Sequence, residues 1–402
     1  MPSTFAVEGC CHGDLDRIYE VIDSVETTRS VKTDFVICCG DFQAIRTEEE
    51  LETLACPPVY RHMKDFHHYW KGHRIPKCLT LFIGGNHEAA GHLRDMSFGG
   101  YASDKIFYLG SSGVFKVNGL RIAGLTGIYK SHDYDKPIFE APPYNENTKR
   151  SAYHVRRFEI EKLMQLQQPV DIVVSHDWPT GITDFGDTEH MLRLKDKTGQ
   201  LRSEIGSGQL GNPHTMALLR KLKPKFWFSG HMHIKYAAQY EHPDGSITRF
   251  LALDKCIPRR PFLQFISVNE ECEPIPHPEI SCKPAPEVCL DLEWLAILLK
   301  SNDAFPVPSN SARGPPSSVS PEEIEHVCEL LRTSQADPRP VETPNGDFLM
   351  PYFGRVHPGD ERYRKWICDI LRMRDWIGDS SFTIPTIEPE NTPVDSLFFE
   401  DI

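Results

Sequence analysis

Short runs of apolar and β-branched residues recur through the first two-thirds of the chain, and longer amphipathic stretches lie between some of them. Five of the short runs are FVICC (35–39), LTLFIGG (79–85), GLRIAGL (119–125), VDIVVSH (170–176) and KFWFSGH (225–231). Stretches with helical spacing include LDRIYEVIDSVE (15–26) and RRFEIEKLMQLQ (156–167). Short buried strands combined with helices predict an α/β or α+β layered fold.

The pattern changes near residue 270, where NEECEPIPHPEISCKPAPE (269–287) is rich in proline and glutamate. Helical spacing returns in LDLEWLAILLKS (290–301), SPEEIEHVCELL (320–331) and YRKWICDILRMRDWI (363–377). Ser320 is a suitable N-cap, and Glu323 completes a capping box with it. We therefore predict one domain at residues 1–270 and a smaller, mainly helical region at 271–402, with a linker near 303–320.

Composition narrows the class of protein. The chain is 40% hydrophobic and 25% charged, and no apolar run approaches the roughly 18 residues of a membrane span, so we expect no membrane partner. The twelve cysteines include no C-x-x-C pair, and the opening MPSTFAVEGCCHG lacks the charged and apolar regions of a secretory signal. These features favour reduced thiols in a nuclear or cytosolic compartment.

Charge is distributed unevenly along the chain. Residues 1–268 carry 33 basic and 32 acidic residues, whereas residues 269–402 carry 11 and 25, and the net charge is −13. The segment from Arg193 to Lys225 is locally basic, which suits a phosphate-rich ligand but equally suits an ordinary solvated surface. The acidic region at 271–402 should repel RNA, and it could instead bind a protein partner.

Side chains that can bind metals follow the predicted strands. They are Cys10 and His12 after TFAVE, Asp41 after FVICC, Asn86 and His87 after LTLFIGG, His176 after VDIVVSH, and His231 and His233 after KFWFSGH. The carboxyl ends of parallel strands converge on one crevice, so we expect these side chains to lie together. Two of the pairs are spaced two residues apart, which places them on one face if the backbone is extended. The pattern predicts a metal site.

This ordered set resembles the calcineurin-like metallophosphoesterase superfamily, whose members bind two metals with D-x-H, GD, GNH, H and GHxH motifs. Cys10 stands where that pattern has its first aspartate. Together with EGCCHGDLD, GNHEA, TKRSAYHVR and FLALDKCIPRRPFLQF, this exchange resembles the RNA lariat debranching enzyme family. The resemblance implies a β-sandwich flanked by helices over about residues 4–270, and two divalent cations.

The resemblance also implies a role for each candidate residue. One cation would be held by Cys10, His12, Asp41 and His233, and the other by Asp41, Asn86, His176 and His231, with Asp41 shared. His87 would stabilise or protonate the leaving oxygen, unless it is only a structural neighbour of the ligands. We expect Cys11, Cys38 and Cys39 to pack inside the protein. Because thiolates favour softer metals, we expect Fe²⁺ and Zn²⁺, with Mn²⁺ as a further candidate.

The reaction implied by the resemblance is hydrolysis of the 2′–5′ phosphodiester at the branch point of excised intron lariat RNA, in the nucleus. Two closely spaced cations activate water and neutralise phosphate charge, which suits this reaction. A general metallophosphodiesterase or phosphatase is the first alternative, because it would use the same metals. A non-enzymatic scaffold is the second, although every ligand position holds a competent group.

A long segment interrupts the strand pattern at residues 127–157, and it is rich in aromatic and basic residues. Loops of this length inside a compact domain are usually functional, and this composition suits stacking and phosphate contacts with RNA. It falls where the resembling family has its lariat recognition loop, although a structured surface insertion is the alternative. We predict RNA contacts from Tyr144, Tyr153, His154 and Arg156, and from Lys255 outside the loop.

Overall fold

The structure is a computed structural model that describes residues 2–276, 285–305, 317–353 and 361–379 of the 402-residue chain. Most of the linker predicted near 303–320 therefore lies outside the described residues. Where the chain is described, it forms two β-sheets with helices around them. No helix among these residues is long and apolar enough to cross a membrane.

The strands are short, and the five runs singled out above each form one. They are β1 (Ser3–Glu8), β2 (Phe35–Cys38), β3 (Leu79–Phe82), β4 (Gly100–Ser103), β5 (Ile106–Tyr108), β6 (Ser112–Val117), β7 (Leu120–Leu125), β8 (Ile172–Ser175), β9 (Phe226–Ser229), β10 (Tyr236–Glu241), β11 (Ile247–Ala252), β12 (Leu263–Val268), β13 (Val288–Leu290), β14 (Val341–Glu342) and β15 (Phe348–Leu349). Their β-branched and aromatic residues suit a pleated, buried surface.

The helices include all those predicted from apolar spacing. They are α1 (Leu15–Arg29), α2 (Phe66–Trp70), α3 (Ala90–Asp95), α4 (Ser131–Tyr134), α5 (Glu146–Ser151), α6 (Arg157–Met164), α7 (Thr188–Lys195), α8 (Gln200–Gly206), α9 (Pro213–Leu222), α10 (Leu292–Ser301), α11 (Pro321–Thr333) and α12 (Arg362–Leu371). The predicted capping box is present at α11, where the Glu323 amide donates to Ser320 Oγ at 3.3 Å.

The two sheets have mixed strand directions. The first has the order β12-β1-β2-β3-β5-β4, and β1, β2 and β3 run parallel at its centre. The second has the order β10-β11-β9-β8-β7-β6-β13-β15-β14, with β7, β8, β9 and β11 parallel. Both sheets thus present the carboxyl ends of several parallel strands, which is where ligand sites form in such sheets.

The sheets pack face to face as a sandwich, as the sequence predicted. Phe5 of β1 and Phe228 of β9 meet across the interface with ring centroids 6.2 Å apart. Residues alternate between the two faces of each strand, so Val7 faces this central core while Ala6 packs on the outer side with Ile18 of α1. Helices α6 and α9 cover the outer face of the second sheet.

The region after residue 285 is built into the second sheet. Strand β13 pairs antiparallel with β6, placing Leu290 opposite Phe115, and β15 and β14 extend the sheet further. Helix α10 follows and is capped by Asp291, whose carboxylate accepts a hydrogen bond from the Trp294 amide at 2.9 Å. Trp294 is buried in the same core cluster as strand residues of both sheets. The boundary predicted at residue 270 is therefore crossed by both a sheet and a core.

Helix α12 and the residues after it contact α3. Arg364 is buried, and its Nε donates to the Asp95 carbonyl at 3.1 Å. In return, Arg94 Nη2 donates to the Ile377 carbonyl at 3.3 Å. Because α3 directly follows the strand end that carries Asn86, the C-terminal segment supports one loop of the candidate site.

Candidate metal centre and adjoining loop

Five strand ends converge between the two sheets, and each carries candidate ligands. Close approach of their backbones requires glycine at two of the turns. A Cβ at Gly85 would lie 2.1 Å from Asp41 Oδ1, and a Cβ at Gly40 would lie 2.2 Å from His176 Nδ1. Gly40 also has a φ of 115°, in a region that disfavours other residues. These glycines permit the side chains to meet.

The first group of candidate ligands consists of Cys10, His12, Asp41 and His233. Their ligand atoms all lie within 4.8 Å of one another. His12 Nε2 is 3.0 Å from His233 Nε2 and 3.6 Å from Asp41 Oδ2. Two imidazole nitrogens, a carboxylate and a thiol facing one point form a donor set typical of a transition-metal site.

The second group lies on the opposite side of Asp41. His176 Nε2 is 3.3 Å from Asp41 Oδ1 and 3.2 Å from Asn86 Oδ1. The ring of His231 lies beside that of His176, with centroids 5.0 Å apart. The two oxygens of Asp41 thus face different ligand groups, as expected for a carboxylate shared by two cations.

The backbone at these ligands differs from our expectation of extended strands. His12, Asp41, His231 and His233 have φ values of 47°, 47°, 66° and 46°, all in the left-handed region. The prediction that Cys10/His12 and His231/His233 leave an extended backbone on one face was therefore wrong, because the chain has already turned at these residues. Strained conformations of non-glycine residues are rare and cluster at functional sites, where the surrounding structure maintains them.

Burial sets the protonation of the ligand groups. It lowers the pKa of His12 and of His231 to about 3, and that of His233 to about 2. Burial opposes ionisation of Asp41, but the neighbouring His176 and other imidazoles hold its pKa well below the usual value. His12, His231 and His233 are therefore neutral and Asp41 is ionised, which are the forms that bind metals. His176 differs, because burial opposes its protonation but Asp41 raises its pKa, and a bound cation would displace its proton.

The thiol of Cys10 is also suited to bind a metal. Burial and the nearby Asp41 raise its pKa well above the usual value, so the bare site disfavours the thiolate. A bound cation reverses this, because a coordinating thiol is deprotonated. The His231 amide already points at Cys10 Sγ at 2.9 Å and would stabilise a thiolate there. The residues present therefore fit divalent cations.

Hydrogen bonds from neighbouring groups orient the ligands. His176 Nδ1 donates to the Cys39 carbonyl at 2.8 Å, which leaves Nε2 free to coordinate. Trp178 Nε1 donates to the Gly230 carbonyl at 2.9 Å and fixes the turn before His231.

The cysteines that we expected to pack inside the protein do so. Cys11, Cys38 and Cys39 are buried in the apolar clusters on the two faces of the first sheet.

Glu88 organises two of the loops, and sequence reasoning did not single it out. Its carboxylate accepts from the amides of Phe42 at 2.5 Å and Gln43 at 2.9 Å, the two residues that follow Asp41. It also accepts from the Gly85 amide at 3.3 Å. Burial raises the pKa of Glu88 to about 8. The GNHE motif contained this residue, but only the folded chain reveals that it joins the two turns.

His87 lies at the same centre. Its amide donates to Asp41 Oδ1 at 2.9 Å, and its ring faces that of His12 with centroids 5.3 Å apart. Burial lowers the pKa of its imidazole below the usual value. Its backbone thus positions the shared carboxylate, while its side chain borders the first ligand group.

The predicted recognition loop at 127–157 contains the short helices α4 and α5 and is attached beside the centre. The Tyr129 amide donates to Asp177 Oδ2 at 3.1 Å, next to His176 in the chain. Ile128 forms a parallel β-bridge with His154, which closes the loop at its base. The loop is therefore a structured element that borders the metal centre.

The predicted RNA-contact residues in the loop are less free than the sequence suggested. His154 Nδ1 lies 2.6 Å from Asp133 Oδ2, and a second oxygen of Asp133 pairs with Lys136 at 3.0 Å. Arg156 is buried and forms an ion pair with Glu140.

The remaining predicted contacts occupy different positions. Tyr144 and Tyr153 are half-buried in the loop. Lys255 forms a parallel β-bridge with Cys10, and its charge contributes to the lowered pKa of His12, although burial is the larger cause. RNA binding by these five side chains therefore stays a prediction. Lys255 lies nearest the ligand groups.

Some of the basic residues between Arg193 and Lys225 are paired with neighbouring carboxylates. Lys223 pairs with Asp244, and Arg202 pairs with Glu189 at 2.8 Å. These exposed pairs favour the interpretation of an ordinary solvated surface.

Comparisons with known proteins agree with this geometry. The family model for the calcineurin-like phosphoesterases matches residues 3–235, and the model for the lariat debranching enzyme C-terminal domain matches residues 245–345. A lariat debranching enzyme of Arabidopsis thaliana is 46% identical over 334 residues, which cover 83% of this chain and 77% of that protein. Those of Danio rerio and Homo sapiens are also 46% identical, over 77% and 75% of this chain. The chain spans about half the length of these vertebrate relatives, 53% and 54% respectively.

Proposed function

This chain belongs to the lariat debranching enzyme family, and on that premise we propose that it hydrolyses the 2′–5′ phosphodiester at the branch point of excised intron lariat RNA. The products are linear RNA with a free 2′-hydroxyl at the former branch nucleotide and a 5′-phosphate on the released strand. A general phosphodiesterase would need the same ligand groups, but it gives no reason for a long structured loop beside them.

One observation carries the proposal. The shared carboxylate of Asp41 faces both ligand groups, and the loop at 127–157 is anchored directly beside it through Tyr129 and Asp177. A substrate phosphate at the centre therefore lies within reach of a loop that can contact nucleotides on either side of the scissile bond. Position, rather than ligand chemistry alone, favours a branched nucleic-acid substrate.

The protein's own residues supply binding, orientation and proton transfer. A bound pair of divalent cations would lower the pKa of water and neutralise the charge on the phosphate oxygens. Asp41, held by the His87 amide, keeps the two ligand groups in register. The His87 imidazole, on the same wall, stabilises or protonates the leaving 2′ oxygen. Lys255, beside Cys10, adds positive charge for the phosphate.

The chemistry of Cys10 supports a choice of metals. A thiolate and imidazoles favour Zn²⁺ or Fe²⁺ over Mg²⁺, so we assign one of these to the group containing Cys10, His12 and His233. The group containing Asn86, His176 and His231 has harder ligands and accepts Fe²⁺, Mn²⁺ or Zn²⁺. Elemental analysis of protein purified without added metals tests this assignment independently of activity.

Incubation with a synthetic branched RNA tests the proposed reaction. We expect a product with a free 2′-hydroxyl and an intact 3′–5′ chain, resolved by electrophoresis and linkage-specific nuclease digestion. Asp41→Asn should abolish cleavage. Asp244→Asn should retain it, because this change removes the charge that pairs with Lys223 at the surface and leaves an amide oxygen to accept from Ser246. Hydrolysis of a chromogenic phosphodiester without cleavage of the branched RNA would instead identify a general phosphodiesterase.

We also propose that the protein acts in the nucleus, because intron lariats arise there. The acidic C-terminal region would bind a protein partner, because its negative charge opposes binding of RNA. Cell fractionation tests the first. Co-purification with the intact chain, compared with a chain lacking the C-terminal region, tests the second.

A further inference from the structure

A cavity of about 100 Å³ lies next to the metal centre, outside the ligand groups. Gly85, the residue before Asn86, forms one wall, and the recognition loop forms another through Tyr144. Phe305 and Ile377 close it from the C-terminal region. Three parts of the chain that are distant in sequence thus enclose one space within a residue of a predicted ligand.

Unpartnered polar atoms concentrate in this cavity. Arg94 Nε, Ser97 Oγ, Tyr144 Oη, Ser151 Oγ and Arg156 Nε are buried and have no hydrogen-bond partner among the described residues, and all five residues line the cavity. Buried polar groups are nearly always paired, and each unpaired one is costly. Five in one cavity indicate that a polar occupant satisfies them.

Ion pairs within the lining disfavour a strongly charged occupant. Glu140 is paired with Arg156, and Glu159 is paired with Lys162 at 2.8 Å. The carboxylate of Glu88 is occupied by backbone amides. Two of the three cations of the lining are therefore paired with carboxylates, and the third, Arg94, donates to the Ile377 carbonyl at 3.3 Å. The unpartnered groups are three hydroxyls and two guanidinium N–H groups. An uncharged molecule rich in hydrogen-bond acceptors fits better than a phosphate.

The walls add a second criterion. Aromatic rings of Phe98, Tyr108, Tyr144 and Phe305 line the cavity together with the unpartnered donors. A flat ring with acceptors on its edge satisfies both kinds of wall, since aromatic surfaces bind base faces and polar groups read base edges. We propose that the cavity is a pocket for one nucleobase adjoining the branch point, which rests on the proposed function and identifies the part of the substrate that this surface reads.

In such a pocket, Tyr144 and Arg156 have different roles from those expected for free surface residues. Tyr144 would contact the base through both its ring and its hydroxyl. Arg156 would use only Nε, because its other end is held by Glu140. The C-terminal region would contribute through Phe305 and Ile377, despite its overall negative charge.

Binding of three non-hydrolysable branched RNAs tests the pocket. Each has a methylene in place of the bridging 2′ oxygen and an abasic residue at one of the three positions around the branch, and affinity is measured by fluorescence anisotropy. We expect one abasic RNA to bind the wild-type protein roughly 5- to 150-fold more weakly than the intact analogue, and the other two to change far less. In Tyr144→Phe, the ratio of the two affinities (intact analogue over this abasic RNA) should be roughly 2- to 10-fold smaller, the range expected for one net hydrogen bond. It should be smaller still in a variant that also carries Ser151→Ala.

Tyr134→Phe is the matched control. It removes a tyrosine hydroxyl from the same loop, but its ring stacks on His214 at 3.8 Å and does not line the cavity. The full abasic penalty should persist in this variant. Equal penalties at all three positions, or an unchanged penalty in Tyr144→Phe, would overturn the pocket and leave a water-filled cavity. Cleavage of an ordinary branched RNA is scored separately, so loss of the proposed function and loss of the pocket give different results.

Discussion

Replacing Arg121 tests whether the C-terminal region is part of the folded core. Arg121 lies on β7, and its Nε and Nη2 donate to the two oxygens of Asp291 at 2.7 and 2.8 Å. Nη2 also donates to Glu293 Oε2 at 2.7 Å. The three side chains are only 6%, 1% and 1% exposed. Both carboxylates belong to the start of α10, so the cluster joins the two parts of the chain.

The structure sets the size of the effect. Arg121→Met preserves the apolar stem but leaves two buried carboxylates without their cation, which costs about 3–5 kcal/mol of unfolding free energy. That is a large share of the roughly 5–15 kcal/mol that stabilises a typical domain. The matched control is Arg202→Met, which breaks a pair with Glu189 whose side chains are 58% and 63% exposed. Exposed pairs contribute about 0–1 kcal/mol.

Urea denaturation followed by tryptophan fluorescence measures both variants. Trp294 lies three residues beyond Asp291, so its emission reports local loosening as well as global unfolding. We expect a much lower midpoint for Arg121→Met than for Arg202→Met, together with faster proteolysis after residue 285. If both variants shifted the midpoint equally, the carboxylates would not be desolvated, and the packing of α10 against the first part would be wrong.

Three further predictions concern the centre, the loop and the C-terminal helices. Elemental analysis should show that Cys10→Ser has lost the metal of its group, because a neutral hydroxyl replaces a thiolate. Cys10→Asp should still bind a metal there, with a preference shifted toward Mn²⁺. Unchanged metal content in Cys10→Ser would refute the ligand assignment. His154→Ala should weaken cleavage of branched RNA roughly 5- to 150-fold while sparing a chromogenic phosphodiester, and equal losses on both would indicate a structural role. Ending the chain after residue 304 should lower stability and solubility, since it removes the buried Trp366 and Ile367, and a truncated protein with wild-type stability would contradict this.

The sequence predicted the elements of the site well because its signals are local. Parallel strands place their carboxyl ends together, so short apolar runs followed by Asp41, His176 or His231 were sufficient to locate the centre. The left-handed backbone at His12 and Asp41 could not be predicted, since those residue types favour other conformations and adopt this one only under constraint from neighbouring strands.

Long-range pairing accounts for most of what the sequence left open. Nothing near Glu88 indicates that its carboxylate would collect amides from the turn at Phe42 and Gln43, some 46 residues away. Similarly, Arg156 reads as a surface cation in the sequence, but folding of the loop pairs it with Glu140 and buries it. Such contacts depend on tertiary packing that no local pattern encodes.

The acidic composition of the C-terminal region has a partly structural explanation. Asp347 pairs with Lys116 of β6, and Glu323 pairs with Lys300 while capping α11. Asp291 and Glu293 bind Arg121. Each of these carboxylates neutralises a basic residue on a neighbouring element, so they contribute little to repulsion of RNA at the surface. Part of the region's acidic composition therefore serves packing inside the fold, and a region that should repel RNA by composition can still supply Phe305 and Ile377 to the wall of the proposed pocket.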